Sequence, residues 1–418
     1  MMQYLDILQK QPPQHTALIT ETHTYTYSEL WQKAMEIRKH IVAKETVHWI
    51  DSSSIAAQIC QFLAYSGSTA VPIIATAASM RQPQKILNVP PTACMGVMTS
   101  GSSGPSKILW RDFASWADFF PIQNKLFGIT SQTILFCQGS LAFTGNLNLY
   151  LSVFAAGGTV IGADSFHPKT WLAYIEKYKA NAMYLIPSKV LLLPQIAHHE
   201  YENVQHIISG SQSMGKRQAQ WLHQPFPHSE IILYYGASEL NYITYIKDTD
   251  MTEDTSLVGK PFPNIAIKID AASQEILVTT PYHVLGISMP YSLHDRGCID
   301  KNGNLHFLGR SGDSCNINGR HISMYRIEQA LCAHLPIREA AVVVQHGVHA
   351  DRLAAVVGGA KGPISRTVLW KALRPYLQDY EIPKVCIVVD ELPKNESGKI
   401  DKLALKKYTY FRNRPGVI

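Results

Sequence analysis

Met98-Thr99-Ser100-Gly101-Ser102-Ser103-Gly104-Pro105-Ser106-Lys107 joins two short apolar runs, Met95 to Met98 and Ile108 to Trp110. Gly101 and Gly104 let the backbone turn its N–H groups inward with no Cβ in the way. The hydroxyls of Thr99, Ser100, Ser102 and Ser103, with the Lys107 ammonium, add donors to an anion held in that concavity. A polyphosphate is the guest this chemistry suits. A flexible Gly/Ser linker has a similar composition, and the loop taken alone does not separate the two. It is not the nucleotide loop G-x-x-x-x-G-K-S/T, because only two residues separate Gly101 from Gly104 and no lysine follows directly.

Outward from this stretch, the chain has 418 residues, which sets an expectation of two or three domains. Its apolar fraction of 46% suits a globular protein with a sizeable core. The net charge of +6 is compatible with small anionic ligands, and no dense Lys/Arg block argues for nucleic acid. Seven scattered cysteines form no C-x-x-C and read as reduced thiols, neither a disulfide framework nor a zinc site. No H-E-x-x-H occurs among the 17 histidines. The N-terminus lacks the pattern of a signal peptide, and no apolar run reaches the roughly 18 residues of a spanning helix. A cytoplasmic protein is the expectation.

Strand and helix patterns alternate from the N-terminus to about residue 257. Thr24 to Tyr27 alternates like a strand, and Ser28 is expected to cap a helix running to about His40. Ser54 to Tyr65 reads as a buried helix ending at Gly67. Phe113 to Phe127 reads as one aromatic helix, and Leu141 to Tyr150 leads into a helix stopped by Gly157-Gly158. Ser188 to Ile196 reads as a helix after the strand Ala182 to Ile186. Ile231 to Tyr235 is a strand entering Gly236-Ala237-Ser238-Glu239. Such strand–loop–helix units place ligand-facing residues at strand carboxyl ends, where Gly210-Ser211 and Gly236 to Glu239 fall. From about 258 short strands and turn signals predominate, and a smaller α+β unit follows Gly309.

Several of these points together form a pattern. Thr99 to Lys107 resembles the T-S-G-S/T-S/T-G-x-P-K phosphate loop of the acyl-adenylate-forming (ANL) superfamily. Its members are acyl- and aryl-CoA synthetases, adenylation domains of nonribosomal peptide synthetases and beetle luciferases. Tyr235-Gly236-Ala237-Ser238-Glu239 looks like Y-G-x-S/T-E, and His294-Asp295-Arg296-Gly297 through Gly309-Arg310 resembles T-G-D…G-R. Asn318 to Glu328 is similar to G-x-R/K-I/V…I-E, and Pro393 to Lys399 looks like P-K/R-T/N-x-S/T-G-K. The motifs fall in the superfamily's order over most of the chain. The fold the resemblance implies is α/β: a large N-terminal AMP-binding domain of layered sheets and helices with a β-rich subdomain, residues 1–309, shortened between about 75 and 98. A small mobile α+β C-terminal domain, residues 310–418, would carry the catalytic lysine.

The resemblance also implies the chemistry. ATP and Mg²⁺ would activate a carboxylic acid as an acyl adenylate with release of pyrophosphate, and a thiol, coenzyme A or phosphopantetheine, would then take the acyl group. Thr99, Ser100, Gly101, Ser102, Ser103, Gly104 and Lys107 would cradle phosphates. Here Pro105 and Ser106 exchange the order of the motif and leave Lys107 in place. Glu239 would hold Mg²⁺ and Ser238 would contact the α-phosphate; without the resemblance this pair reads as a helix N-terminus. Tyr235 with Gly210-Ser211 and Gly236 would enclose adenine, Asp295 would accept the ribose hydroxyls, and Arg310 would add to that contact. Lys399 would place its ammonium by the attacking carboxylate, and Gly312 stands at the domain pivot.

The motif that pairs an aspartate with an α-amino group is Phe143-Thr144 here, so the resemblance points away from α-amino acids and toward an acyl or aryl acid with an uncharged tail. Leu141, Phe143, Gly145 and Asn146 are the expected acyl pocket. A carrier protein, if used, would have to come in trans. Two other readings stay open at this point: a stand-alone adenylation enzyme loading a carrier protein or an amine, and a non-catalytic nucleotide-binding relative.

Overall fold

The computed structural model describes residues 3–41, 46–75, 88–98, 107–310, 314–317, 320–345, 351–360, 362–394, 400–402 and 404–405. Two sheets and the helices between them build the larger part of the chain. The parallel centre of a 13-stranded mixed sheet takes Glu230–Ala237, His206–Gly210, Ala182–Tyr184, Ile134–Gln138 and Thr159–Ala163 in that spatial order. Beyond Glu230–Ala237 the sheet turns antiparallel through Asn241–Lys247 and Leu257–Pro261. It continues through Leu305–Arg310, Tyr291–Ile299, Glu275–Thr279 and Ala266–Ile269.

A smaller sheet orders Val47–Ile50, Val71–Ile74, Met95–Met98 and Ile108–Arg111. Its last two strands are antiparallel, and Met98 pairs with Ile108. In sequence, the Ser/Gly-rich stretch falls between these two paired strands. The helix Thr144–Ala156 lies between the sheet layers and is buried on all sides from Asn146 to Phe154, which explains why its apolar residues show no one-sided stripe. Gly157, with φ +84°, ends it in a left-handed cap.

From Ile322 onward the chain has its own apolar clusters. They pack the helices Met324–His334 and Arg366–Leu373 on a three-stranded sheet of Glu339–Gln345, Arg352–Gly358 and Val385–Val389. Among the described residues no helix is long and apolar enough to cross a membrane.

Several local expectations change. The cap of the first amphipathic helix is Thr26, not Ser28: its hydroxyl accepts from Glu29 N–H and the Glu29 carboxylate returns to Thr26 N–H, a reciprocal pair Ser28 does not form. Tyr4–Gln9 is an additional short helix, buried through Tyr4, Leu5, Ile7 and Leu8. Phe113 to Phe127 divides into Ala114–Ala117 and Phe120–Phe127. Ser188 to Ile196 is a single turn, Pro187–Val190, followed by a 3₁₀ turn at Leu193–Gln195, because Pro194 cannot donate within a continuous helix. No helix follows Tyr235. Its strand runs on to Ala237, and Ser238 to Leu240 turn it into Asn241–Lys247.

Candidate active site

The strand Tyr291–Ile299 sets Asp295 directly opposite Arg310 on Leu305–Arg310. Arg310 Nε donates to Asp295 Oδ1 at 3.0 Å, and the Tyr235 hydroxyl donates to Asp295 Oδ2 at 2.6 Å. The carboxylate is almost wholly buried, so both contacts are charge-assisted bonds in a poorly solvated place. Burial first, and then the Asp295 charge, hold the Tyr235 phenol well above its ordinary pKa, so it stays a donor. Gly236 follows a bulge in the strand, and a Cβ there would lie 2.5 Å from the Asn241 carbonyl oxygen. Gly210 ends its strand against the Tyr234 ring, and Ser211 takes a left-handed φ of +68°.

The turn after this strand carries Ser238 and Glu239. Ser238 Oγ and Thr144 Oγ1 are 3.0 Å apart, which ties the turn to the start of the buried helix. Arg111, fully buried at the end of the strand after the Ser/Gly-rich stretch, donates from Nη2 to the Ser238 carbonyl at 2.7 Å and from Nη1 to the Tyr282 carbonyl at 3.1 Å. Burial pulls its pKa down to about 10, which leaves it a cation at neutral pH. Glu239 lies in the cavity wall, and among the described residues no cation forms an ion pair with it. No cluster of three or more His, Cys, Asp or Glu gathers there among those residues. A single carboxylate facing a cavity fits Mg²⁺, which takes few protein ligands and completes its shell with water and phosphate oxygens.

Ser211, Tyr235, Gly236, Ser238, Glu239, Asp295 and Arg310 line one cavity of about 1750 Å³. Phe143, Gly145 and Asn146 line it too. Leu141 does not: it is 1% exposed and packs in the core, with its N–H on Gln58 Oε1 at 2.8 Å. Behind Gly145, the hydroxyls of Tyr184 and Tyr234 bond each other at 2.7 Å, and a Cβ on Gly145 would lie 2.1 Å from the Tyr184 oxygen. Burial pushes both phenols up, Tyr234 to about 12. The pair therefore closes the floor of the cavity as neutral side chains.

Lys107 is exposed directly before the strand Ile108–Arg111. Thr99, Ser100, Gly101, Ser102, Ser103 and Gly104 lie outside the described residues, as do Gly312 and Lys399. Of the described residues around it, Lys394 bridges Ile400, and Asp401 N–H donates to the Pro393 carbonyl at 2.8 Å. Ile400, Asp401 and Lys402 line the same cavity, and Lys402 pairs with Glu328 at 3.1 Å. Gln329 bonds Ser213 at 3.1 Å and also Thr255, joining the helix Met324–His334 to the larger part of the chain. Arg111, Tyr184, Lys189 and Gln138 are site features the sequence reading passed over. The clearest signal for Arg111 was an arginine directly after the apolar run Ile108 to Trp110.

Residues 45–281 match the model of the AMP-binding enzyme family, and residues 326–399 match that of the AMP-binding enzyme C-terminal domain. A putative long chain fatty acid-CoA ligase, VraA, of Staphylococcus haemolyticus is 27% identical over 318 residues, 72% of this chain and 67% of the relative. An uncharacterized acyl-CoA ligase, YhfT, of Bacillus subtilis is 28% identical over 329 residues, 74% of this chain and 67% of the relative. Among solved structures, ATP-bound MatB from Rhodopseudomonas palustris superposes with a TM-score of 0.83 at 18% identity, covering 98% of this chain and 99% of that one. The o-succinylbenzoate CoA synthetase MenE of Bacillus subtilis, in complex with its acyl-adenylate intermediate, gives 0.83 at 18% identity over 100% of both chains. These likenesses establish the layered α/β fold with its smaller C-terminal part.

Proposed function

The chain belongs to the AMP-binding enzyme family, and on that premise we propose that it joins a carboxylic acid to a thiol, most readily coenzyme A, through an acyl adenylate. The observation that carries this reading is the buried Asp295 carboxylate, oriented by Tyr235 and Arg310, on the same cavity wall as Ser238 and Glu239. Such a carboxylate is a suitable acceptor for vicinal ribose hydroxyls. The Ser238–Glu239 turn would then lie toward the phosphates.

In the first step an oxygen of the acid attacks the α-phosphorus, the bridging P–O bond to the β-phosphate breaks, and pyrophosphate leaves with its electron pair. The demand on the protein is positioning and charge neutralisation. Ser238 would hold the α-phosphate through the hydroxyl that Thr144 orients. Glu239 would hold Mg²⁺, which when bound neutralises charge on the leaving pyrophosphate. The phosphate loop from Thr99 to Lys107 and the Lys399 ammonium belong to the same proposal. In the second step the thiol sulfur attacks the acyl carbon, the bond to AMP breaks, and the thiol proton passes to solvent. A division at 309/310, with Gly312 as pivot, would let the C-terminal part turn between the steps. The ligase names of VraA and YhfT support coenzyme A as the acceptor.

The test is ATP–pyrophosphate exchange over a panel of acyl, aryl and amino acids, followed by thioester formation with coenzyme A or a phosphopantetheine carrier. Exchange with an acyl or aryl acid is expected, and Lys399→Ala is expected to abolish it while ATP still binds. Absence of exchange with every acid would overturn the reading in favour of nucleotide binding without catalysis.

A further inference from the structure

Lys189 stands in the wall of the same cavity, in the turn Pro187–Val190. Its Nζ donates to Gln138 Oε1 at 2.6 Å. No carboxylate among the described residues forms an ion pair with it, and none acts on its charge, while burial pulls its pKa down. An ammonium held out of bulk water without a counter-charge is unfavourable, and a ligand carboxylate would relieve that. One hydrogen is on Gln138, and an ammonium has three.

The space beside this ammonium is built. Asn146 Nδ2 donates to the carbonyl oxygens of Gln138 at 3.3 Å and Ser140 at 3.0 Å, which fixes the backbone on both sides of Gly139. A Cβ on Gly139 would stand 3.6 Å from Lys189 Nζ and 3.4 Å from Asn146 Nδ2. Lys189 and Asn146 both line the cavity, with Gly139 packed beside them. Asn146 lies two residues along the helix from Thr144, whose hydroxyl meets Ser238. At about 1.5 Å of rise per residue Asn146 stands about 3 Å along the helix axis from Thr144, on the side of Gly139 that Lys189 also approaches. Tyr184 and Tyr234, bonded to each other, line the same cavity.

We propose that Lys189 binds a second carboxylate at the far end of the acid, so that the preferred substrate is a short dicarboxylic acid. This rests on the adenylation reading above and departs from the uncharged tail expected from the sequence. The experiment is ATP–pyrophosphate exchange with acids paired by chain length, butanoic with butanedioic and hexanoic with hexanedioic. It uses the wild type, Lys189→Met and Lys189→Arg, with ATP binding followed by thermal shift. The wild type is expected to favour the diacid in kcat/KM by about 10- to 100-fold, the range of a charge-assisted bond in a shielded site. Lys189→Met should erase that ratio and Lys189→Arg should keep most of it.

A wild type that prefers monoacids overturns the proposal. So does Lys189→Met lowering both members of a pair equally, or acting only on the thioester step. Exchange confined to monoacids sinks the dicarboxylate proposal alone, whereas intact ATP binding with no exchange for any acid sinks the adenylation reading beneath it. Should Lys189→Met fail to fold, the wild-type ratio and Lys189→Arg still decide.

Discussion

Arg111 Nη2 donates to the Ser238 carbonyl across 2.7 Å, linking the strand after the Ser/Gly-rich stretch to the turn that bears Glu239. The second nitrogen holds the Tyr282 carbonyl, and the guanidinium lies 5.4 Å from the Trp116 ring centre. One planar cation therefore spaces two segments far apart in sequence. Arg111→Met would leave two buried carbonyls without a donor and is expected to lose about 2–4 kcal/mol of stability in urea titrations. Arg111→Lys keeps the charge but not the fork, with an expected loss of about 1–2 kcal/mol. Full stability in Arg111→Met would contradict the spacing role.

Tyr235→Phe removes one of the donors that orient Asp295. KM for ATP in the exchange assay is expected to rise about tenfold, in proportion to one charge-assisted bond, with kcat changed much less. A fall confined to kcat would place Tyr235 at the reacting atoms instead.

His294 occupies a left-handed φ of +58° immediately before Asp295, where the resembled motif has glycine. Its Nδ1 lies 3.1 Å from Glu275 Oε1 and its backbone N–H donates to Ser292 Oγ. His294→Gly relieves the backbone and forfeits the carboxylate contact, so its stability should stay within about 1 kcal/mol of wild type. A β-branched residue tolerates that φ poorly, and His294→Val should lose about 1–2 kcal/mol. Equal melting temperatures for the valine variant and wild type would refute the strained backbone.

Asp300 caps the turn between the strands of Asp295 and Arg310. Hydrogen bonds from the Asn304 side chain and backbone, and from Asn302 N–H, lower its pKa from 3.8 to about 2. The folded-state value lies below the unfolded one, so this stabilisation is complete above about pH 4 and is lost as the pH falls toward 2. Denaturation midpoints should therefore fall across that window in wild type by more than in Asp300→Asn. Parallel acid profiles for the two proteins would refute it.

The motif residues were legible because their chemistry needs particular types at short spacing. Asp295, Arg310, Tyr235, Ser238 and Glu239 meet on one cavity wall although the sequence carries them on three separated segments. Local pattern failed where tertiary context decides. Asn241–Lys247 was passed over because its alternating residues follow directly on a motif expected to open a helix. Arg111 could not be assigned a partner from sequence, since Ser238 lies 127 positions away. Lys189 read as a polar residue of a helix, whereas Pro194 cuts that helix short and the turn faces the cavity. Leu141 failed for the opposite reason: proximity to Phe143 along the chain says nothing of which way a buried leucine points.

The Tyr184–Tyr234 pair behind Gly145 touches neither Asp295 nor Glu239 among its hydrogen bonds. Tyr234 does meet Ser211 through its hydroxyl and Gly210 through its ring, so one side chain underlies both Gly145 and the strand end at Gly210. On the proposed reading, a change at Tyr234 would be felt both where the acid is expected and where the nucleotide is expected, so the two spaces could not be revised independently through that residue.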